Sequence, residues 1–217
     1  MALAVNDTAP GSVREGTATR RAGKETARKI LAAARTLLTR EGYAQFSMRN
    51  LADAAGLRLA NLQYYFPRRD DLVRAILADT GDMYAEAYER ILDGASEDPA
   101  ERFKIVLDYQ LKDIFVPETR RFFIQLWALL NSIDDASGSL LGELYAYDIG
   151  PLGECIQAMH PKLDKSEVAE RARMLAATIE GLMIVRGEIS LDEKSGRVLF
   201  EKAYRLGLAI ASGDIPD

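Results

Sequence analysis

The stretch SMRNLADAAGLRLANLQYYF, residues 47–66, constrains the fold more than any other part of the chain. It predicts two helices of about two turns each, the first beginning after an N-cap at Ser47 and ending at Gly56, the second filling the remainder. Helices shorter than about 12 residues are marginal in water on their own. Neighbouring helices must therefore supply the core on which this pair packs.

The rest of the chain also shows helical patterns. A first helix is expected from Lys24 to a stop at Gly42, because apolar residues recur three and four positions apart between them. Asp70 and Asp71 suit the N-terminal end of a fourth helix of about 25 residues. Further helices are expected near residues 99–114, 117–133, 139–159, 166–187 and 194–212. No run of alternating β-branched residues predicts a strand, so the fold class is all-α, with about nine helices.

Charge divides the chain into two parts. Residues 1–71 contain 12 Lys and Arg against 7 Asp and Glu, a net charge of +5, whereas residues 72–217 contain 16 against 26, a net charge of −10. A basic segment favours a nucleic-acid partner, although a charge block can also be only a solvated face. The predicted organisation is a disordered arm at 1–22, a helix-turn-helix domain at 23–71 and a helical bundle at 72–217.

Several classes of protein are disfavoured by what the sequence contains. Cys155 is the one cysteine, which favours a reducing, cytoplasmic compartment and excludes an intramolecular disulfide. No signal peptide or apolar run of about 18 residues is present, so no membrane partner is expected.

No phosphate-binding loop, G-x-S-x-G turn or metal-spaced ligand set occurs, and His160 is the one histidine. The chain is therefore predicted not to be an enzyme and to need no cofactor or metal. Cys155 is expected to be a small buried hydrophobe, and His160 an exposed or capping residue at a helix end.

The second short helix has few apolar residues to hold it in place and carries polar side chains on one side. Leu57, Leu62 and Phe66 are expected to bury one face against the first helix, while Asn61 and Gln63 remain on the other. Two short helices joined across a glycine turn are typical of a helix-turn-helix, in which such a face lies in the major groove and amide side chains read adenine.

Residues 27–76, ARKILAAARTLLTREGYAQFSMRNLADAAGLRLANLQYYFPRRDDLVRAI, closely resemble the DNA-binding domain of TetR-family transcriptional regulators. The similarity covers a lead of the form AA..L....GY...S...LA..AG, then L.YYF, a short break and a charged helix start. The acidic remainder is only loosely similar to the family. The resemblance implies a homodimeric repressor that binds double-stranded DNA at a palindromic operator. The half-sites of that operator are expected about 34 to 36 Å apart or a multiple of that spacing. A small apolar or amphipathic effector is expected to release the repressor from it.

The resemblance also implies which residues contact DNA. Base edges are assigned to Arg49 of the second helix and to Leu59, Ala60, Asn61 and Gln63 of the third. Phosphates are assigned to Ser47, Tyr64, Tyr65 and Arg69, and Arg20, Arg21 and Lys24 add contacts from the arm. The predicted DNA-binding set is Ser47, Arg49, Arg58, Leu59, Ala60, Asn61, Gln63, Tyr64, Tyr65 and Arg69. Alternatives are surface salt bridges for Arg49 and Arg69 and a core position for either tyrosine. Arg58 and Gln63 depart from the family, which often has a small hydroxyl N-cap and an aromatic residue at these positions.

The acidic part is expected to hold the effector and the dimer contact. The candidate pocket residues are bulky side chains of the middle helices, although such residues are often plain core: Tyr109, Phe122, Phe123, Trp127, Tyr145, Met159, Met174 and Met183. The candidate dimer residues follow lines of small side chains on the last two helices: Ala177, Gly181, Val198, Leu199, Ala203, Leu206, Gly207, Ile210 and Ala211. These lines could instead pack within one subunit. The alternative function is a helical interaction protein whose second domain responds to a protein partner.

Overall fold

The computed structural model describes residues 21–133 and 139–214. These residues form nine α-helices, with a short 3-10 helix at Tyr43–Gln45, and they contain no strand. The helices are α1 (Arg21–Glu41), α2 (Met48–Ala54), α3 (Leu59–Tyr65), α4 (Arg69–Leu92), α5 (Pro99–Asp113), α6 (Pro117–Ser132), α7 (Ser139–Met159), α8 (Lys165–Val185) and α9 (Lys194–Ser212). The all-α prediction is confirmed.

The N-terminal boundary of α1 differs from the prediction. Helix α1 begins at Arg21 and not at Lys24, so the last two residues of the predicted arm are helical. Gly23 does not break the helix, and Thr26 Oγ1 donates a hydrogen bond of 2.9 Å to the carbonyl oxygen of Ala22, four residues earlier. The remainder of the predicted arm, residues 1–20 including Arg20, lies outside the described residues, as do residues 134–138 of a predicted loop.

A first hydrophobic core joins α1, α2 and α3 to the helices that follow them. Leu38, Leu51 and Leu62 from the three N-terminal helices are fully buried, together with Leu72 of α4 and Leu126 of α6. The short helices α2 and α3 are therefore held by burial against three longer helices, which offsets their low intrinsic stability.

A second core lies among α5, α7, α8 and α9. Leu107, Ile156 and Leu175 are buried there. Phe123 and Trp127 of α6 pack against both cores. Helix α7 also contributes to both cores, with Leu144 in the first and Leu152 in the second, so α6 and α7 connect them.

Within the described part of the chain, no helix combines the length and the apolar character that crossing a membrane requires.

Candidate functional site

Helix α2 begins where the sequence predicts. Ser47 has an extended backbone, φ −129° and ψ 156°, and its Oγ accepts a hydrogen bond of 3.1 Å from the backbone N–H of Asn50. The side chain of Asn50 in turn donates 2.8 Å to the carbonyl oxygen of Gln45. This pair of bonds fixes the entry of α2 and the direction in which Arg49, which is exposed, leaves the helix.

Replacing Ser47 with Ala is expected to lower the free energy of unfolding by about 1 kcal/mol, because an N-cap acceptor is lost. Urea denaturation followed by circular dichroism measures this change. Ser47→Asn, which keeps an acceptor at the cap, should unfold at nearly the same urea concentration as the parent. An equal loss in both variants would contradict the capping role.

Gly56 makes the turn between α2 and α3. Its φ is +66°, a left-handed conformation that residues with a Cβ rarely adopt. The backbone N–H of Leu57 closes the turn by donating 2.8 Å to the carbonyl oxygen of Ala52. The turn sets the angle at which α3 leaves α2.

Helix α3 buries one side and exposes the other. Leu62 is fully buried and Phe66 is 2% exposed, while Ala60, Asn61 and Gln63 are exposed. Arg58 occupies the N-cap position with no side-chain hydrogen bond to the helix. The exposed side carries the two amide side chains, so it can present donors and acceptors to a partner.

Two residues of the predicted outward set are less exposed than expected. Leu59 and Tyr65 are half-buried and pack against the first core, because a seven-residue helix needs more apolar anchors than Leu62 and Phe66 provide. Tyr64 is 45% exposed, and its ring meets that of Tyr65 edge-on at 5.6 Å. Leu59 therefore does not point wholly outward, as the sequence suggested.

Arg69 is the first residue of α4 and is half-buried. Its Nε is buried and has no hydrogen-bond partner among the described residues. The neighbouring Arg68 is exposed, and its guanidinium and backbone N–H donate to the carboxylate of Asp71 in a capping box. Of these two arginines, Arg69 is the one without a carboxylate partner in the described part of the chain.

A cavity of about 70 Å³ lies between α4, α5, α6, α7 and α8. Its wall contains the aromatic rings of Tyr84, Tyr88, Phe123 and Tyr147, and the carboxyl groups of Asp113 and Glu180 are its acidic members; the remaining lining residues are Leu77, Thr80, Gly81, Gln110, Ile114, Leu144, Ile179 and Met183. We call this space the α4–α8 cavity.

Polar contacts order the wall. The Tyr84 hydroxyl donates to Asp113 Oδ2 at 2.6 Å, and Thr119 Oγ1 donates to Asp113 Oδ1 at 3.1 Å. Gln110 Nε2 donates to the Tyr88 hydroxyl at 2.7 Å. Burial, followed by the negative charge of Asp113, raises the pKa of Tyr84 well above its ordinary value, so this residue remains a neutral phenol.

Most of the predicted pocket residues lie elsewhere. Phe123 and Met183 line the cavity. The other candidates, Tyr109, Phe122, Trp127, Tyr145, Met159 and Met174, do not: among them Phe122 is buried in the first core, Met159 packs against the second core, and Met174 is 54% exposed. Tyr109 stands behind the wall, with its ring 5.9 Å from that of Tyr88.

Sequence reasoning missed the polar part of the wall. Thr80, Tyr84 and Tyr88 are four residues apart and so share one face of α4, and Gln110 and Asp113 are three apart on α5. These two polar faces lie on helices that otherwise bury apolar residues, and their spacing could have predicted a polar part of the cavity wall. Aromatic and Met content alone did not reveal it.

Helix α1 contacts the cavity wall through Arg35. Its Nη2 donates 3.0 Å to Thr80 Oγ1, and its guanidinium carbon lies 4.0 Å from the centre of the Phe122 ring. A second bond joins the 3-10 helix that follows α1 to α6, from the backbone N–H of Tyr43 to Gln125 Oε1 at 2.9 Å. The α2–α3 unit is thus connected through α1 to residues beside the cavity.

The small-residue line of α9 packs inside the subunit, contrary to its assignment to the dimer contact. Ala203, Gly207, Ile210 and Ala211 are buried, and a Cβ at Gly207 would lie 2.8 Å from a methyl carbon of Leu107 on α5. The close approach that glycine permits is therefore used by α5. Leu199 is half-buried against the second core.

The outer faces of α8 and α9 remain apolar and exposed. On α8, Met174 and Val185 are 54% and 78% exposed, and a Cβ at Gly181 would meet nothing within 4 Å. On α9, Val198 and Leu206 are each 46% exposed. Together with Ala177 and Ile184, these residues form what we call the α8–α9 face.

Comparisons with known proteins identify the N-terminal domain. Residues 30–76 match the family described as bacterial regulatory proteins, tetR family. A search of curated proteins returned no match.

Solved structures show the same overall fold. A TetR transcription regulator from Haloarcula marismortui has a TM-score of 0.65 at 20% identity, covering 88% of this chain and 98% of that one. A TetR transcriptional regulator from Legionella pneumophila has a TM-score of 0.60 at 18% identity, covering 87% and 96%. A regulator from Saccharomonospora viridis, solved in complex with choline, has a TM-score of 0.62 at 22% identity, covering 82% and 95%.

Proposed function

The chain carries a TetR-family DNA-binding domain at residues 30–76, and from this premise we propose that it is a homodimeric transcriptional repressor that binds a palindromic operator and is released by a small-molecule effector. The observation that carries the proposal is the exposed polar side of α3, which projects from a basic domain. Asn61 and Gln63 on that side would contact base edges, as would Arg49 at the start of α2. Phosphate contacts are proposed for Ser47, Tyr64 and Arg69.

The dimer is proposed to form through the α8–α9 face. Exposed apolar side chains on two adjacent helices are costly in water, and a second copy can bury them. A two-fold arrangement brings the same face of each copy together and gives two reading helices for two half-sites. Gly181 would allow the partner helix to approach closely.

The effector is proposed to bind in the α4–α8 cavity. The cavity lies within the bundle and has a largely apolar wall with a few polar groups, which is typical of small-molecule sites. The complex of the Saccharomonospora viridis protein with choline shows that a protein of this fold can hold a small molecule.

Release of DNA requires that the effector change the position of α1. Thr80 is a wall residue that accepts a hydrogen bond from Arg35 of α1. A ligand that displaces Thr80 therefore changes how α1, and with it the α2–α3 unit, packs on the other helices. Effector and DNA would then bind two arrangements of the same protein with different affinities.

Thr80→Val tests this coupling. Valine has nearly the shape of threonine but lacks the Oγ1 that Arg35 needs, so the effector should still bind while its effect on operator affinity falls about fivefold or more. Fluorescence anisotropy of a labelled operator, titrated with and without effector, measures the change. Thr36→Val is the matched control, because the Thr36 hydroxyl bonds only the Ala32 carbonyl of its own helix, at 3.0 Å.

An unchanged effector response in Thr80→Val would contradict the proposed route. Protein that binds no palindromic DNA in any state would contradict the proposed function itself.

A further inference from the structure

The wall of the α4–α8 cavity includes a carboxylate, that of Asp113, which forms no ion pair with any described residue. Asp113 and Glu180 line the cavity, and of the described lining residues none is Lys, Arg or His. Asp113 accepts hydrogen bonds from two neutral hydroxyl groups, those of Tyr84 and Thr119, and these leave its charge in place. A ligand that brings a positive charge would compensate it.

Arg35 supplies only part of that compensation, from behind the wall. The guanidinium of Arg35 donates to Thr80 and lies over the Phe122 ring. The negative charge of Asp79 acts on it more strongly than that of Asp113 does. Burial lowers the pKa of Arg35, and these carboxylates oppose that change. Arg28 also acts on Asp79, so Asp79 shares the charges of two arginines, whereas the hydrogen bonds that Asp113 accepts come only from hydroxyl groups.

The aromatic members of the wall suit a cation as well. The Tyr84 ring centre lies 6.2 Å from that of Phe123 and 6.2 Å from that of Tyr88, so the three rings are neighbours in the wall. A ring whose hydroxyl donates to a carboxylate gains electron density, and the faces of such rings attract cations. Tyr147 adds a fourth ring from α7, packed directly against Gly81 of α4.

The surroundings are acidic beyond the wall. Burial, then the negative charges of Asp82 and Glu143, raises the pKa of Tyr147 above its ordinary value. Residues 72–217 carry a net charge of −10. Such a field raises the local concentration of cations at the cavity and disfavours anions.

We propose that the effector is an organic cation, in which a compact alkylammonium group lies against the aromatic wall with Asp113 as its counter-ion. The inference rests on the proposed function, since it specifies the ligand of the same cavity. The small volume of the cavity restricts the charged group to a compact one such as trimethylammonium.

Trp127 provides the readout. It is the one tryptophan of the chain, and its ring centre lies 6.3 Å from that of Phe123 in the cavity wall. Its fluorescence, excited where other residues do not absorb, should change when the cavity fills. No label has to be attached to the protein.

The probes are two matched pairs of a cation and a neutral molecule of similar shape: tetramethylammonium with tert-butanol, and phenyltrimethylammonium with tert-butylbenzene. Each cation is expected to bind at least about tenfold more tightly than its neutral partner. Asp113→Asn should remove most of that preference. Asp108→Asn, the same change five residues earlier on α5 where the carboxylate pairs with Lys112 at 2.8 Å, should leave it unchanged.

A further variant locates the site. A Cβ on residue 81 would lie 2.7 Å from Cε1 of Tyr147, so Gly81→Ala should push that ring into new positions and weaken every probe alike. Persistence of cation binding in Gly81→Ala at parental affinity would place the site elsewhere and overturn the assignment.

Three further results would overturn the inference while leaving the proposed function intact: equal affinity for cation and neutral partner, unchanged selectivity in Asp113→Asn, or no saturable binding of either cation up to about 10 mM. Failure of the proposed function appears separately, as absence of operator binding by the ligand-free protein. The expected result is selective cation binding that also lowers operator affinity.

Discussion

Gly181→Glu is expected to convert the protein into a folded monomer and to weaken operator binding by about 100-fold, because simultaneous engagement of two half-sites contributes 10² to 10⁴ in avidity. Within the subunit a Cβ added at this position meets nothing within 4 Å, so the fold should be retained. Replacing a helical glycine also favours the helix. In a two-fold dimer, however, the new side chain would occupy the space between α8 and its partner and place like charges close together.

Sedimentation equilibrium measures the mass, and operator titration measures the affinity. The matched control is Gly142→Glu, the same substitution in α7, where an added Cβ also meets nothing within 4 Å. It should remain a dimer with parental operator affinity. A dimeric Gly181→Glu protein would show that α8–α9 face residues do not form the contact.

Asn61→Ala is expected to have the second large effect, confined to specific DNA. A bidentate amide–adenine pair is worth about 1 to 3 kcal/mol, and in a dimer it is lost from both half-sites, so operator affinity should fall by about 30-fold or more while non-specific binding stays nearly constant. Asn61 is exposed and outside the core, so the melting temperature should change little. The sequence preference should relax at one base position of each half-site.

Arg69→Ala is the contrasting variant. Loss of a phosphate contact should weaken binding to all sequences and reduce the slope of log affinity against log salt by about one unit per subunit. If both variants only lowered the melting temperature, the assigned DNA contacts would be wrong.

Local signals in the sequence were sufficient to predict the start of α2 and the turn between α2 and α3. Ser47 and Gly56 act through backbone groups a few residues away, as N-cap and as left-handed turn residue, so their roles follow from position alone. The bounds of α5 to α9 agree with the prediction to within two residues for the same reason, and α4 has 24 residues where about 25 were expected. The start of α1 was missed because no strong N-cap marks it.

Packing partners distant in sequence were not predictable from the same patterns. Gly181 and Gly207 both lie in lines of small residues, but Gly207 packs against Leu107, a hundred positions away, and Gly181 is open. A spacing of four residues shows that a helix can be approached closely and does not show by which neighbour. Leu59 illustrates the same point in α3, since its half-burial depends on how much core the short helix still lacks.

The cavity was predicted only in part for a related reason. Phe123 and Met183 were found as bulky residues, whereas Asp113 and Tyr84 become a site only when α4 and α5 bring their side chains within 2.6 Å. The sequence gives each polar face separately. Their meeting is a property of the helix packing.

The ligand-free protein is proposed to bind specific DNA as a two-fold dimer, and selection from random duplexes is the direct test. Purified protein is mixed with a random duplex library at moderate salt, and the retained sequences are determined. The expected result is an inverted repeat whose half-sites are about 34 to 36 Å apart or a multiple of that spacing. The same selection with Asn61→Ala protein should not recover that repeat. Retention of DNA without a common motif, sensitive to salt and equal for both proteins, would contradict the proposal.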